Sequence, residues 1–499
     1  MSDCRKAVVI PGSHHMRPVT YSTPSVFDVR RPLRPALLTL ALLAGSASAA
    51  DREDPFGTAA LRPAAPSQFW NGPAAACAGL DKIPDPLRLG DAIDIALCNN
   101  PLTRVTWASA KVAAAQVGIA RSAYLPDLNA TASLSRIENR NVLAVGGQTA
   151  LNGALSINYL LFDFGGRDAT LELAHQSLLA SDWTHNSNLQ NVLLNAVQSY
   201  YQLYATQEAV QSAISSEKAS LTSLEATRAR LRAGNATRAD VLQAQTAYSQ
   251  AQLNRTQFEG TAATARGVLA NSLGLSAERD LHIAQPPDLE AQKAAERAVD
   301  ELMAQAKASR PDLAASEAQV RAAQSNIKVQ ESAGKPTVSL FGTVSGTQAN
   351  PGPSPATGII GVQVSIPLFT GYQNTYQILQ ARNQLELQVA TRDKLATDVT
   401  LDVWRAYQDL RTQGQSLTTA GELLASAQES YNVALARYKA GVGTIIDLLN
   451  AQSALASAQL QVIQARYQWN LAKATLAKAV GVLEPGLVAE HTPPPTKPQ

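Results

Sequence analysis

Two short segments of the sequence place a threonine and an aspartate three residues apart, shortly after a glycine. They are Gly234, Thr237 and Asp240 in one copy and Gly441, Thr444 and Asp447 in the other. A glycine can end a helix in a left-handed conformation, and a threonine followed three residues later by an acid can start the next helix as a capping box. Both segments are therefore predicted to be tight turns between helices, and each turn presents one carboxylate.

Residues suited to other site chemistry are scarce. Beyond residue 50 the histidines are His175, His185, His282 and His491, and none has the spacing of a metal-binding motif such as HExxH. The sequence contains no CxxC, Walker or GxSxG motif, and its GxG at 441–443 is interpreted as part of a turn. We therefore predict no catalytic, cofactor or metal site and no enzymatic activity.

Charge and composition exclude further classes. Lys and Arg number 42 against 40 Asp and Glu, whereas a nucleic-acid-binding protein needs a basic face. No nucleic-acid partner is therefore expected. Charged residues make up only 16% and aromatic residues 5% of the chain, which suits long helices packed through small side chains better than a thick globular core.

The N-terminus has the pattern of a secretory signal peptide. Three arginines precede an apolar run at 36–44, and small residues follow up to Ala50. A membrane-spanning helix needs about 20 apolar residues, so this run is too short to be one. Residues 1–50 are predicted to be removed on export. No lipid anchor is expected, because Ser46 stands where a lipoprotein signal would have cysteine.

Export also sets the expected state of the cysteines. Once the signal is removed, Cys77 and Cys98 remain, and an oxidising compartment favours a disulfide between them. We predict that this bond ties the N-terminal segment to the first helix. Two buried free thiols are the alternative.

The rest of the chain is an internal repeat. Its equivalent positions include Pro126 and Pro336, Phe162 and Phe369, and Asp240 and Asp447. Each copy is predicted to contain a helical stretch interrupted near its proline, two short strands and a long helical hairpin. The predicted domains are the signal peptide at 1–50, an N-terminal periplasmic segment at 51–90, repeat 1 at 91–281, a linker at 282–297, repeat 2 at 298–483 and a disordered tail at 484–499.

The predicted helices are unusually long. The first helical stretches lie at 91–122 and 298–332, the long helices at 165–232 and 372–440, and the returning helices at 237–273 and 444–480. A helix as long as the one predicted at 165–232 spans about 100 Å. Its apolar positions between Leu189 and Leu231 step by threes, fours and sevens, which is coiled-coil spacing.

Four shorter segments alternate apolar with polar residues, as strands with one apolar face do. They lie at 127–136, 154–161, 338–345 and 360–366. The Gly-, Pro- and Asn-rich stretches between them, 137–153 and 346–358, are predicted to be external loops.

Strands of this kind fit a transmembrane barrel, with the apolar face towards lipid and the polar face towards water. Membrane strands must close so that no edge is unpaired, and a small barrel needs about eight strands. One chain offers four, so several chains are predicted to share one barrel. Aromatic residues near the strand ends fit an interfacial girdle, and the candidates are Tyr159, Phe162, Phe369 and Tyr372.

The combined pattern resembles the TolC family of outer-membrane channel proteins over roughly 88–483. The resemblance rests on the repeat, the proline before each strand pair, the Leu-Phe at both strand exits, and the run from Arg437 to Gly441 followed by Asp447. It implies an α+β membrane protein, with long coiled-coil hairpins forming a periplasmic α-barrel. Four antiparallel strands per chain would contribute to a trimeric 12-stranded β-barrel.

The same resemblance implies a location and partners. The protein would be a homotrimer in the lipid of a Gram-negative outer membrane, with its helical part in the periplasm. Its partners would be a periplasmic adaptor, also called a membrane fusion protein, and an inner-membrane ABC or RND transporter. No cofactor is implied.

The resemblance also assigns roles at the two turns. Asp447 matches a position that lines the periplasmic aperture, and the family's second acidic ring falls on Asn450. Threefold symmetry would gather three Asp447 carboxylates, which favours cation binding and raises the carboxylate pKa.

Other turn residues match the latch that holds the aperture closed. Tyr438 and Asp240 match latch positions, a latch arginine is replaced by Gly443, and Arg238 is the expected substitute partner. The remaining hairpin-turn residues of this site are Gly234, Thr237, Gly441 and Thr444.

The leading interpretation is a passive exit duct for a secreted protein, such as a toxin, in type I secretion. The stretch at 97–101 and the absent lipid anchor favour that branch. The alternative within the family is the outer-membrane component of a multidrug efflux pump. A structural or adhesive coiled-coil protein is a second class, but a stalk needs no strands with a polar face. An enzyme is the third class.

Overall fold

The computed structural model describes residues 54–61, 83–141, 144–286, 298–350 and 355–483. The predicted signal peptide, Cys77, the tail and most of the linker lie outside these residues. Only Asp54 and Pro55 of a first unit, Met1–Pro55, are described, and the account below concerns the second unit, Phe56–Gln499. Within the described residues no helix is both long and apolar enough to cross a membrane.

The predicted first helical stretch of each repeat is two helices separated at the proline. In repeat 1 they are α1 (Leu89–Asn99) and α2 (Pro101–Ser122), and Asn100 caps α2 by accepting a 2.9 Å hydrogen bond from the Leu102 amide. Proline suits this first helical position because its missing N–H would have no helical partner there. Repeat 2 has the equivalent α5 (Val299–Ser309) and α6 (Pro311–Ala333).

The long hairpins agree with the predicted boundaries to within one or two residues. They consist of α3 (Gly166–Arg232) with α4 (Arg238–Ser272), and α7 (Gln373–Lys439) with α8 (Ile445–Val480). Both long helices contain 67 residues, and a helix of that length extends about 100 Å.

The four strands form one antiparallel meander in the order β1-β2-β3-β4. Their bounds are Asp127–Asn141 for β1, Ala144–Phe162 for β2, Thr337–Asn350 for β3 and Ala356–Ser365 for β4. The strand hairpin β1–β2 of repeat 1 and the strand hairpin β3–β4 of repeat 2 therefore lie side by side, joined by the pairing of β2 with β3.

The predicted loops at 137–153 and 346–358 are wrong in extent. Most of 137–153 is strand, since Ile137 pairs with Gln148 and Leu134 with Leu151, and β3 continues to Asn350. A tilted strand needs only about 9–11 residues to cross the membrane. The strands continue past that length through backbone hydrogen bonds, which do not require the apolar alternation that the prediction used.

The register places most of the apolar residues of the four strands on one face, with Phe341 and Ile359 as exceptions on the other. Leu128 pairs with Ile157, which pairs with Gly342, which pairs with Ile360. The next row on the opposite face is polar for three strands, Asn129, Ser156 and Thr343. On that polar face the Thr347 hydroxyl donates a 2.8 Å hydrogen bond to the Asn152 side chain.

The apolar face of the sheet is uncovered within one chain, as are its two edge strands. Ile360 is 79% exposed and Leu134 is 73% exposed. β1 and β4 each pair with only one described strand. Both features require further molecules around the sheet, because unpaired edges are not tolerated in a membrane.

Each chain also has two open helical sides. Near the sheet the helices pack in the order α2, α3, α6, α7, and farther away in the order α4, α3, α8, α7. The largest core lies where α1 crosses α3 and the end of α4, around Tyr200, whose hydroxyl lies 2.8 Å from the carbonyl oxygens of both Leu87 and Ala284.

Candidate functional site

The two hairpin turns are built as the sequence predicts. Gly234 and Gly441 both have φ of 78°, the left-handed conformation that ends a helix. At the first turn the Asp240 amide donates to the Thr237 hydroxyl oxygen at 3.2 Å, and the Thr237 amide donates back to the Asp240 carboxylate at 2.7 Å.

The second turn repeats this capping box with one addition. The Asp447 amide donates to the Thr444 hydroxyl oxygen at 3.1 Å, and the Thr444 amide donates to the Asp447 carboxylate at 3.3 Å. The amides of Val442 and Gly443 both donate to the carbonyl oxygen of Arg437 at 3.1 Å. The turn is tight at Gly443, because an added Cβ there would lie 3.1 Å from the Arg437 Cβ and its neighbours would have to shift slightly.

Both aspartates are stabilised as carboxylates within their own chain. Hydrogen bonds from Thr237 hold the pKa of Asp240 below its usual value. Hydrogen bonds from Thr444, with the Arg437 charge as a smaller cause, lower the pKa of Asp447. The mutual repulsion expected in a ring acts in the opposite direction and involves neighbouring copies.

Asp447 and Asn450 line one groove between the end of α7 and the start of α8. Arg437 and Glu429 line the same groove, so charges of both signs surround the predicted aperture position. Asp447 is exposed, and a cation could reach it. Among the described residues, no group of three or more His, Cys, Asp or Glu side chains could hold a metal ion.

Tyr438 joins the two hairpins near their tips. Its buried hydroxyl lies 3.0 Å from the hydroxyl of Thr227 on α3. The Arg230 guanidinium donates to the Tyr438 carbonyl oxygen at 2.7 Å and lies 4.6 Å from the centre of its ring. Such a stacked arginine adds about 0.5–1 kcal/mol at partly exposed sites.

The sequence analysis did not identify two residues that contact Tyr438. Thr227 and Arg230 contact Tyr438, whereas Arg238 is exposed and pairs with no acid in the described part of the chain. The Asp240 carboxylate accepts a hydrogen bond from the Thr237 amide of its own turn.

A signal for Thr227 is present in the sequence. Small polar residues recur at threes and fours along one side of α3, at Ser216, Ser220, Ser223 and Thr227. The buried Gln452 side chain on α8 donates to the Ser220 hydroxyl at 2.7 Å and to the Ser216 carbonyl oxygen at 3.3 Å. A polar row at coiled-coil spacing therefore marks the contact between the two hairpins.

Comparison with known proteins identifies the architecture. The model of the family described as outer membrane efflux protein matches residues 92–275 and 302–482. The chain belongs to this family.

Individual relatives agree with this assignment. Protein CyaE of Bordetella pertussis is 32% identical over 83% of this chain and 88% of its own length. Outer membrane efflux protein BepC of Brucella suis is 28% identical over 77% of this chain and 83% of its own length. The solved outer-membrane channel CmeC of Campylobacter jejuni has a TM-score of 0.68 at 18% identity, covering 79% of this chain and 86% of that one, which shows the fold.

As a member of the outer membrane efflux family, the chain is a channel protein of the Gram-negative outer membrane and not an enzyme. Its strands and helices have the fold of solved outer-membrane channels, and its helical part lies in the periplasm. The hairpin turns, at the far end of the helices from the strands, are therefore its periplasmic tips.

In this outer-membrane channel Phe162 is the last residue of β2, and Phe369 and Tyr372 lie beyond the end of β4. Phe369 and Tyr372 are 75% and 66% exposed, with ring centres 5.5 Å apart, and Phe162 forms a similar pair with Phe164 at 4.7 Å. Tyr159, within β2, is half-buried. An interfacial role for these rings stays a prediction.

The predicted disulfide involves the first helix of the channel. Cys98, in α1, is disulfide-bonded. Cys77, its predicted partner, lies outside the described residues.

Proposed function

We propose that this outer-membrane channel is the exit duct of a tripartite export system. It would passively conduct a secreted protein by type I secretion from an inner-membrane transporter to the outside. The observation that carries the proposal is the four-stranded sheet, with its exposed apolar face and two free edges, joined to helices about 100 Å long. Such a chain needs further copies of itself to close a duct.

The open helical sides support a homotrimer. Exposed apolar residues on α2 recur at heptad spacing, at Val105, Val112 and Ile119. Exposed apolar residues also lie along α7, on the opposite side of the chain, and they include Leu379 and Leu387. Packing α7 of one copy against α2 and α4 of the next would bury both rows and close a helical barrel.

The type I route is favoured over drug efflux by two observations. The 32% identity to Protein CyaE exceeds the 28% and 26% identities to relatives whose names contain efflux. Ser46 also stands where a lipid-anchored protein would have cysteine. The second candidate is the outer-membrane component of a multidrug efflux pump, favoured by the names of relatives such as the probable efflux pump outer membrane protein TtgC of Pseudomonas putida.

The proposed partners follow from what a passive duct needs. The sequence contains no nucleotide-binding motif, so energy would come from an inner-membrane ABC or RND transporter. A periplasmic adaptor would connect that transporter to the hairpin tips. At those tips, Tyr438 with Thr227 and Arg230 would hold the aperture closed, and Asp447 would line it.

A deletion strain tests the function. Loss of particular proteins from the culture medium with unchanged drug sensitivity supports secretion, whereas increased drug sensitivity with an unchanged set of secreted proteins supports efflux. Re-expression of the wild-type chain should restore the lost phenotype. Purified protein in a lipid bilayer should conduct ions, and the absence of any conductance would contradict the duct itself.

A further inference from the structure

The periplasmic tips carry an excess of positive charge. We define the tip surface as residues 228–240 and 437–447, which include both hairpin turns. It contains two carboxylates, Asp240 and Asp447, and six cationic residues. The cationic residues are Arg228, Arg230, Arg232, Arg238, Arg437 and Lys439.

This charge is not neutralised within the chain. Both carboxylates cap their own helices through Thr237 and Thr444. None of the six cationic side chains forms an ion pair with any residue that the structure describes. Arg228 donates instead to the neutral Gln245 side chain at 2.6 Å, and Arg230 donates to a carbonyl oxygen.

Favourable interaction with the helix dipoles explains only part of the excess positive charge. Cations in the last turn of a helix interact favourably with its dipole, which accounts for Arg230, Arg232, Arg437 and Lys439. Arg238 is the first residue of α4, where the positive end of the dipole disfavours a cation. Its position therefore has no stabilising role for the helix that carries it.

The excess is confined to the tips. The adjoining parts of the hairpins, 205–227 with 241–266 and 405–436 with 448–466, carry six cationic and seven acidic residues. Several of these form ion pairs, as Arg255 does with Glu217 at 2.6 Å and with Glu259 at 2.7 Å. The shafts are thus balanced in charge and contain the ion pairs of Arg255, whereas the tip surface is basic and its cations form no ion pair with a described residue.

Apolar side chains are exposed among the tip cations. Val442 is 69% exposed and Ile446 is 49% exposed, both at the second turn. Exposed apolar residues surrounded by arginine are typical of protein–protein contacts, in which arginine is enriched.

We propose that the tip surface docks a periplasmic protein whose contacting helical element carries carboxylates. This inference rests on the proposed function, because it specifies the chemistry of the adaptor. A carboxylate-bearing surface complements the six cations, brings the partner to the tips by long-range attraction, and places its apolar residues on Val442 and Ile446.

The test uses the full-length channel reconstituted in nanodiscs of zwitterionic phosphatidylcholine. The probe is a synthetic antiparallel helical hairpin with glutamates around its turn, compared with the same hairpin carrying glutamines. The glutamate hairpin should bind about tenfold more tightly at low salt, as expected for a few exposed charge pairs. The difference should shrink as salt is added.

Matched variants locate the effect. The triple variant Arg232→Gln, Arg238→Gln and Lys439→Gln should lose the preference for glutamate. The control variant Arg405→Gln, Arg411→Gln and Arg466→Gln removes the same number of exposed cations from the shafts and should keep it. The proposal would be overturned if the wild-type channel bound the glutamate and glutamine probes equally well. It would also be overturned if both triple variants lost the preference for the glutamate probe to the same degree.

Two further measurements separate the alternatives. Vesicles containing phosphatidylglycerol should bind less strongly than the glutamate hairpin and be displaced by it. Vesicles that bind through the same three residues and resist displacement would identify an anionic membrane surface instead and overturn the inference. Conductance of the same sample tests the duct independently: a conducting channel without glutamate preference refutes only the docking surface.

Discussion

The hydroxyl groups of Thr227 and Tyr438 lie 3.0 Å apart, although 211 positions separate the two residues in the sequence. Both side chains are buried, and each belongs to the long helix of a different repeat. The contact therefore joins the two hairpins of one chain close to the tips, where a passage through the periplasmic end would have to widen.

Removing this hydrogen bond should favour the open aperture. Tyr438→Phe keeps the ring and its contact with Arg230 but deletes the hydroxyl, which costs about 1 kcal/mol per subunit. We expect openings in single-channel recordings to become about fivefold more frequent, as that energy implies for one subunit. Tyr431→Phe is the matched control, since Tyr431 packs partly buried in the same apolar cluster. Identical gating of the wild type and both variants would show that the pair is only structural.

The Asp447 carboxylate should make the aperture sensitive to multivalent cations. Three copies brought together by threefold symmetry would attract a divalent or trivalent ion. Asp447→Asn should relieve block of the conductance by such ions. Arg437→Gln should strengthen the block, because Arg437 lines the same groove and its positive charge repels a cation bound there.

The control for this prediction is Asp240→Asn. Asp240 forms a capping box of the same kind at the first turn, so its replacement removes a helix-capping carboxylate without changing the predicted ring. If both aspartate variants relieve block to the same degree, capping alone explains the effect and Asp447 has no separate role in the aperture.

The ends of the strand hairpins should face the cell exterior. An epitope tag between Asn141 and Ala144, or between Asn350 and Ala356, replaces no paired strand residue. Both tags should be labelled by antibody on intact cells. A tag after Asn235, at a periplasmic tip, should be labelled only after the outer membrane is permeabilised. Surface labelling at Asn235 would reverse the orientation.

The sequence predicted the helices more accurately than the strand ends, for a physical reason. Helix starts are set by local chemistry, such as Pro101 after the capping Asn100, and that chemistry is visible in the sequence. The strands extend beyond their apolar alternation because backbone pairing continues outside the lipid, as between Ile137 and Gln148. Alternation reports lipid contact, so it cannot locate the end of a strand in water.

The same distinction applies to the candidate site. The turn residues Thr444 and Asp447 interact over three positions and were predictable. The partners of Tyr438 come from the other repeat, and no local pattern pairs Thr227 with it. The polar row on α3 becomes informative only once α3 and α8 are known to pack together.

The disulfide can be tested by mass spectrometry of unreduced protein. A peptide linking Cys77 with Cys98 is expected, because Cys98 is disulfide-bonded and Cys77 is the other cysteine left after removal of the predicted signal peptide. Reduction should release both peptides. Alkylation of both thiols without prior reduction would refute the pairing.

The last prediction concerns Asp182, a carboxylate on α3 in the periplasmic part of the channel. Burial raises its pKa to about 6, and its Oδ1 atom has no hydrogen-bond partner among the described residues. Because the folded pKa lies above the unfolded value of about 3.9, the folded protein binds the proton more tightly. Stability contributed by this group is therefore present below about pH 4 and is lost as the pH rises through 6.

Asp182→Asn should consequently stabilise the channel at pH 8 and change little at pH 4. The gain at pH 8 should be about 1 kcal/mol per subunit, less than the full shift implies because the side chain is only partly buried. Thermal unfolding of the purified channel at the two pH values measures it. Asp409→Asn, at an exposed carboxylate on α7, is the control for the chemistry of the substitution itself. A destabilised Asp182→Asn channel at pH 8 would mean that the ionised carboxylate has a stabilising partner, for example in a neighbouring copy, and that burial does not govern its protonation.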